Sequence, residues 1–69
     1  MTEQMPKLDV ETLKYVLDLV KIDYNSYNQL YKEFEESDEK KSEHFYWKKC
    51  AMDSTISLIN YLIEKQQGA

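Results

Sequence analysis

The chain has 69 residues, carries 13 acidic side chains against nine lysines and no arginine, and has a formal net charge of −4 at pH 7. A chain this short buries only about 60 % of its unfolded surface, so it often depends on disulfides, a metal or a partner chain. The single cysteine, Cys50, excludes an internal disulfide, and no CxxC or HxxxH spacing predicts a structural zinc site. Self-association or exceptionally good helix packing therefore remains as the source of stability.

The absence of arginine argues against direct binding to nucleic acid. The guanidinium group is the usual reader of phosphates and base edges, because it donates two parallel hydrogen bonds. An acidic protein is instead suited to a basic surface on another protein, including a surface that normally binds DNA.

No segment of the chain is typical of a membrane or secreted protein. Its most apolar stretch, Ile56–Ile63, contains Ser57 and Asn60 and is far too short to span a bilayer. A lone thiol without a signal peptide predicts a cytoplasmic protein with no membrane association. The lysine-rich and tyrosine-rich composition is typical of low-GC bacteria and their phages.

Helix 1 is predicted by a repeat in which every third or fourth residue is apolar or aromatic. The repeat comprises Val10, Leu13, Leu17, Val20, Tyr24, Tyr27, Tyr31 and Phe34. It places these side chains on one stripe that packs against another helix. Asp9 is the predicted N-cap, and Leu8 and Leu13 have the spacing of a hydrophobic staple. Helix 1 is therefore expected over about residues 9–36.

Residues 24–28, with the sequence Tyr-Asn-Ser-Tyr-Asn, have low helix propensity and are the place where helix 1 would break. The apolar repeat stays in phase through this run. Neither Gly nor Pro interrupts the chain between Lys7 and Gln67. We therefore predict a continuous helix.

A polar run at residues 35–42 predicts a turn, which we place at about residues 37–41. Ser37 is a suitable N-cap for helix 2, with Asp38 and Glu39 favoured in its first turn by the helix dipole. Ser42 gives an alternative start one turn later, so helix 2 is predicted from about residue 38 or 42 to residue 66. A short connection makes the helices antiparallel neighbours, and the predicted fold is an all-α two-helix hairpin.

Both predicted helices carry more apolar surface than one contact between them buries. The apolar residues of helix 2 spread over about half of its circumference, and the N-terminal half of helix 1 has a second stripe opposite the first. Scattered apolar side chains are normal on a monomer, but regular spacing predicts an interface. We expect a homodimer of hairpins that forms an antiparallel four-helix bundle, although a larger partner would cover the same surface. The predicted interface comprises Leu8, Tyr15, Leu19, Ile22, Leu58 and Leu62.

The side chains with catalytic potential are isolated in the sequence. His44 follows Glu43 near the turn but lacks the Glu-x-x-His pairs of di-iron helical bundles, so a solvated histidine is the simpler interpretation. Cys50 has no histidine one helical turn away to act as a base, and is expected to be a packing residue. We therefore predict no enzymatic activity, no metal and no cofactor.

The tyrosines and acidic residues near the turn each have two interpretations. The tyrosines either complete the core with their hydroxyls at its edge or form a groove for a partner. The acidic residues either solvate the turn or form a surface that docks on a basic partner. The partner-binding candidates are Tyr27, Tyr31, Phe34, Glu35, Glu36, Asp38, Glu39 and Trp47.

These features predict a non-enzymatic regulator or inhibitor that binds another protein as a helical homodimer. The acidic turn suggests a mechanism in which the chain covers a basic or nucleic-acid-binding surface of its target. The alternative is a structural subunit whose apolar stripes serve assembly alone. Self-association is expected at the Leu19 end of the hairpin, and a foreign partner at the Tyr31 end.

Overall fold

A computed structural model describes residues 9–68 and has two α-helices packed side by side. Helix α1 comprises Val10–Phe34, and helix α2 comprises Glu39–Gly68. Four residues connect them, so the helices run antiparallel and the prediction of an all-α hairpin is confirmed. Helix α1 continues without a break through residues 24–28, as predicted. It ends two residues before its predicted limit, and α2 extends two residues beyond its own.

Helix α1 begins directly after Asp9, which caps its first turn. The Asp9 backbone is extended, and one of its carboxylate oxygens accepts a hydrogen bond from the Thr12 amide at 2.8 Å. The Asp9 carbonyl accepts from the Leu13 amide at 3.0 Å. Asp9 is therefore confirmed as the N-cap. Leu8, the predicted staple partner and a predicted interface residue, lies outside the described residues.

Helix α2 is capped by Asp38, and the predictions that Ser37 caps it or that it starts at Ser42 are wrong. The Asp38 carboxylate accepts a hydrogen bond from the Lys41 amide at 3.2 Å, and its carbonyl accepts from the Ser42 amide at 2.9 Å. The Asp38 amide donates to the Phe34 carbonyl at 2.9 Å. This last bond fixes the path of the turn, so that a carboxylate and not a hydroxyl meets the free amides of α2.

The aliphatic core lies at the open end of the hairpin, by which we mean residues 10–24 of α1 and 51–68 of α2. Its buried side chains are Leu13, Leu17, Ile59 and Ile63, surrounded by the partly buried Val10, Val20, Ile56 and Leu62. Even Leu13 keeps 4 % of its surface exposed. The backbone measures 14 Å in its shortest dimension. Two helices in a single layer leave both outer faces uncovered, so this core is a narrow seam.

At the turn end, residues 25–50, the contact between the helices is aromatic. Tyr27 and Phe34 of α1 stack on Phe45 of α2, with ring centroids 6.2 Å and 6.0 Å apart. Tyr31 meets Tyr46 at 5.5 Å. Tyr27 and Tyr31 therefore take part in the contact between the helices, and each keeps part of its surface exposed.

Two polar links hold the aromatic section together. The buried Ser42 hydroxyl donates a hydrogen bond to the Tyr31 carbonyl at 3.2 Å. The Lys49 ammonium group donates to the side-chain oxygen of Asn28 at 3.1 Å and lies 4.9 Å from the centroid of the Tyr31 ring. These links fix the register of α2 on α1, because each joins a specific pair of positions across the hairpin.

Candidate functional site

The turn end has two sides of different chemistry, and the helices form a shallow groove on each. We call the first the basic groove; it is lined by Leu30, Phe34, Lys40, Lys41, His44 and Phe45. The Lys41 ammonium group lies 5.2 Å from the centroid of the Phe34 ring, and His44 meets Phe45 edge-on at 5.3 Å. This groove combines apolar side chains with two lysines.

We call the groove on the other side the acidic groove. It is lined by Tyr31, Glu35, Glu39, Ser42, Glu43, Tyr46 and Trp47. Three carboxylates and three aromatic rings thus share one surface, and none of its lining residues is basic. The Tyr31 hydroxyl donates a hydrogen bond to the Glu35 carboxylate at 3.5 Å, which leaves most of the acceptor capacity of that carboxylate open to another donor.

Trp47 is the most exposed aromatic side chain of the acidic groove. It is 62 % exposed, and its ring meets the Tyr46 ring edge-on at 5.3 Å. Tryptophan is favoured at protein interfaces because it buries a large area with few rotatable bonds. An exposed indole among carboxylates suits a cationic side chain, which is attracted both by the ring face and by the negative charges.

Tyr46 and Cys50 lie one helical turn apart on α2. The hydrogen bond to Cys50 raises the pKa of Tyr46 above its ordinary value of 10.0, and the charge of the ionised thiol, desolvation and Tyr31 raise the pKa further. The phenol therefore remains protonated at neutral pH. Cys50 is half-buried and contacts a weakly acidic group, which does not serve as a base for a nucleophile.

Four of the predicted partner-binding residues come together in the acidic groove. They are Tyr31, Glu35, Glu39 and Trp47, supplied by both helices. The hairpin therefore assembles aromatic and acidic candidates that lie up to 16 positions apart in the sequence, since 47 − 31 = 16.

The other four predicted partner-binding residues lie elsewhere. Phe34 lines the basic groove on the opposite side, and Tyr27 stacks within the contact between the helices. The Asp38 carboxylate is engaged as the cap of α2. Glu36 is exposed but lines neither groove. The predicted set therefore divides between two surfaces and the turn.

The predicted dimer residues of α1 are exposed at the open end. Tyr15, Leu19 and Ile22 are 67 %, 47 % and 60 % exposed. On α2, Leu58 is 57 % exposed, whereas Leu62 is half-buried and packs against the core. The hairpin thus leaves most of this set uncovered, which is the condition that an interface requires.

Several residues of these surfaces were not among the predicted sites. Glu43 and Tyr46 line the acidic groove, and Val16 and Tyr61 are further exposed apolar side chains at the open end. The signal that identifies Glu43 and Tyr46 is their spacing of four and seven residues after Glu39. Such spacings return to the same side of a helix.

Two other kinds of site are not found within residues 9–68. No three His, Cys, Asp or Glu side chains there are close enough together to hold a metal ion. Neither helix has a stretch that is both long and apolar enough to cross a bilayer. His44 is exposed and has Phe45 as its aromatic neighbour.

No protein-family model, curated protein or solved structure matches the chain. The surfaces with distinctive chemistry are the acidic groove at the turn end and the exposed apolar side chains at the open end.

Proposed function

We propose that this chain is a non-enzymatic regulator or inhibitor that acts as a homodimer and binds another protein through its acidic groove. The target has a basic surface, such as one that contacts nucleic acid, and binding covers that surface. The observation that carries the proposal is the exposed ring of Trp47 in one groove with the carboxylates of Glu39 and Glu43. Two hairpins pack as a four-helix bundle in the proposed homodimer.

A lysine or arginine side chain of the target suits the acidic groove for two reasons. The attraction between a cation and an aromatic ring amounts to about 0.5–1 kcal/mol at an exposed site and to about 2 kcal/mol once water is excluded. Carboxylates add charge-assisted hydrogen bonds, which are geometrically selective when the donor is arginine. A single exposed carboxylate adds little to affinity, so it is the combination that distinguishes a basic target from a neutral one.

The arrangement of charge also fits a target that normally binds nucleic acid. Glu39 and Glu43 are one helical turn apart, so their side chains form a row of negative charge with a spacing of about 6 Å. The formal net charge of −4 attracts a basic surface toward the whole chain before contact. Binding is therefore expected to weaken as salt is added.

The test compares two double variants that remove equal charge. Glu39→Gln/Glu43→Gln removes two carboxylates from the groove, whereas Glu33→Gln/Glu36→Gln removes two exposed carboxylates of the turn end that do not line it. Wild-type protein and both variants are immobilised and exposed to extracts of the native host. The target is retained by wild type and by the control variant, and about ten-fold less by the groove variant.

Further measurements complete this test. Trp47→Ala is expected to weaken binding of the same target by a similar factor, because the indole is the most exposed ring of the groove. The purified target is then bound to its nucleic acid, and the chain is expected to displace that ligand. A target retained equally by both double variants, or the absence of any retained target, would contradict the proposal.

The exposed apolar side chains of the open end favour a second candidate function, a structural subunit that assembles only with itself. Leu19 and Leu58 are about half exposed in the hairpin and gain a contact in any assembly. In that case the immobilised chain retains only further copies of itself. The charge variants then assemble as wild type does, because the acidic groove takes no part.

A further inference from the structure

The side of the hairpin that carries the basic groove at the turn end can be followed to the open end by helical spacing. Leu30 of α1 and His44 of α2 line this groove from opposite helices. Positions seven residues apart return nearly to the same side of a helix, with a drift of about 20° per heptad. Val16 lies two heptads before Leu30, and Leu58 lies two heptads after His44. Val16 and Leu58 therefore border the same side of the hairpin at the open end.

The register of the two helices places these residues at the same level. Tyr31 is opposite Ser42, and Asn28 is opposite Lys49. The residue numbers of two positions that lie opposite each other thus add up to about 75. The same relation places Val16 opposite the region of Leu58. The polar links at the turn end therefore fix which apolar residues are neighbours at the open end.

Leu19 and Leu62 extend this surface by one helical turn on each helix. We call Val16, Leu19, Leu58 and Leu62 the apolar face. Its first three members are 36 %, 47 % and 57 % exposed, and Leu62 is half-buried. The face combines two of the predicted interface residues of α2 with one of α1, and it crosses the groove between the helices. Side-chain ridges of a further helix can pack against the grooves between such side chains.

A second copy of the chain is the occupant that accounts for this surface. With Tyr15, Ile22 and Tyr61 at its edges, the apolar face brings together seven apolar or aromatic side chains, six of them more than one third exposed. A stable interface buries about 800 Å² of each partner, which requires an extended apolar surface of this kind. The hairpin is a single layer whose core has four buried aliphatic residues. Another copy supplies both the missing layer and an equal apolar area.

The charges at the turn end determine the orientation of the second copy. On the side of the apolar face the turn end carries Lys40 and Lys41. A parallel arrangement places the lysines of one copy against those of the other, and juxtaposed like charges disfavour association. An antiparallel arrangement superimposes only the open ends, so that the apolar faces meet and the lysines remain apart.

We infer that two copies pack through their apolar faces in antiparallel orientation, with their turn ends at opposite ends of the dimer. This inference rests on the proposed function, since it specifies how the homodimer is built. It adds that the two acidic grooves are separate binding sites for the target. With a rise of 1.5 Å per residue from the level of Val16–Leu19 to Ser37, the two turns are about 60 Å apart.

Distance measurements between spin labels test this arrangement. A label is attached to Ser37→Cys, or to Ser57→Cys as the control, each in a Cys50→Ala background. Ser37 lies in the turn, and Ser57 lies at the level of the apolar face on an exposed part of α2. The antiparallel dimer predicts about 60 Å for the Ser37 pair and about 30 Å for the Ser57 pair.

Each outcome decides a different point. A Ser37 distance below about 35 Å with a short Ser57 distance indicates parallel packing and overturns the inference, while the homodimer of the proposed function stands. A monomeric mass at high micromolar concentration overturns this arrangement and the homodimer of the proposed function. Target binding that depends on Glu39 and Glu43 is unaffected by either result, so the two proposals fail separately.

A pair of lysine variants tests the face itself. Leu58→Lys places a charge on the apolar face, whereas Asn60→Lys places the same charge at an exposed position on another side of α2. In the label experiment on Ser57→Cys, Leu58→Lys is expected to abolish the short distance and Asn60→Lys to leave it. The reverse pattern, or equal loss in both variants, overturns the apolar face as the interface.

Discussion

Replacing leucine by alanine at two positions of α1 separates the hairpin core from the proposed dimer contact. Leu13 keeps 4 % of its surface exposed and Leu19 keeps 47 %. Leu13→Ala loses the buried side chain and leaves a cavity, which costs about 3 kcal/mol. A chain of this length has a total unfolding free energy of about 3–10 kcal/mol, so this loss is a large share of it. Leu19→Ala costs about 1 kcal/mol in the isolated hairpin, because only half of the side chain is buried there.

The assay is thermal unfolding followed by circular dichroism at two protein concentrations that differ a hundredfold. Leu13→Ala lowers Tm by about 15 °C at both concentrations. Leu19→Ala lowers Tm slightly in dilute protein and further in concentrated protein. In the dimer each copy also loses about 1 kcal/mol from apolar surface buried at the interface, so that the Kd of the dimer rises about 30-fold. An unfolding midpoint of the unmutated protein that is independent of concentration refutes the dimer contact. Equal losses for both leucines at both concentrations refute the assignment of the core.

Two further variants test the polar contacts of the turn end. Lys49→Met removes the hydrogen bond to Asn28 and the cation over two tyrosine rings. Urea unfolding is therefore expected to show a loss of about 1 kcal/mol in the free energy of unfolding, against less than about 0.5 kcal/mol for Lys40→Met at an exposed position. Equal losses in the two variants would contradict this role of Lys49. Cys50→Ala removes the thiol that raises the pKa of Tyr46, so the ring-carbon NMR titration of Tyr46 should move toward 10.0. Because the pKa of Tyr46 is raised in the folded state, its contribution to folding stability is present below pH 10.0 and is lost as the pH rises through the folded-state pKa. A Tyr46 titration that is the same in the variant as in wild type would show that the thiol contact is not formed.

The helices themselves follow from local rules that the sequence displays. The repeat of apolar residues at spacings of three and four predicts α1 as a helix with one apolar stripe. Asp9 has the carboxylate that caps the free amides in the first turn of α1. The start of α2 was less predictable, because Ser37, Asp38 and Ser42 are all capable N-caps. Which of them meets the free amides depends on the hydrogen bond from the Asp38 amide to the Phe34 carbonyl, a property of the turn path.

The acidic groove was only partly predictable, because the side of the hairpin that a residue occupies depends on how the two helices pair. Helical spacing groups Glu39, Glu43 and Trp47 on α2. It does not say which residues of α1 face them. Tyr31 and Phe34 belong to the same predicted stripe and are three positions apart, yet they line opposite grooves. Residues on the two edges of one stripe line different grooves only when a partner helix packs along the middle of that stripe.

The separation along the chain between contacting residues increases from the turn to the open end. The bond from Ser42 to Tyr31 spans 11 positions and that from Lys49 to Asn28 spans 21, whereas the core residues Leu13 and Ile63 are 63 − 13 = 50 positions apart. Closing the longest loop first costs about 1.3 kcal/mol more chain entropy than closing the shortest. We therefore expect folding to proceed from the turn outward through local contacts, which form within microseconds to milliseconds in helical proteins. In the proposed dimer, association completes the part of the hairpin that forms last, so the final folding step is bimolecular and its rate depends on protein concentration.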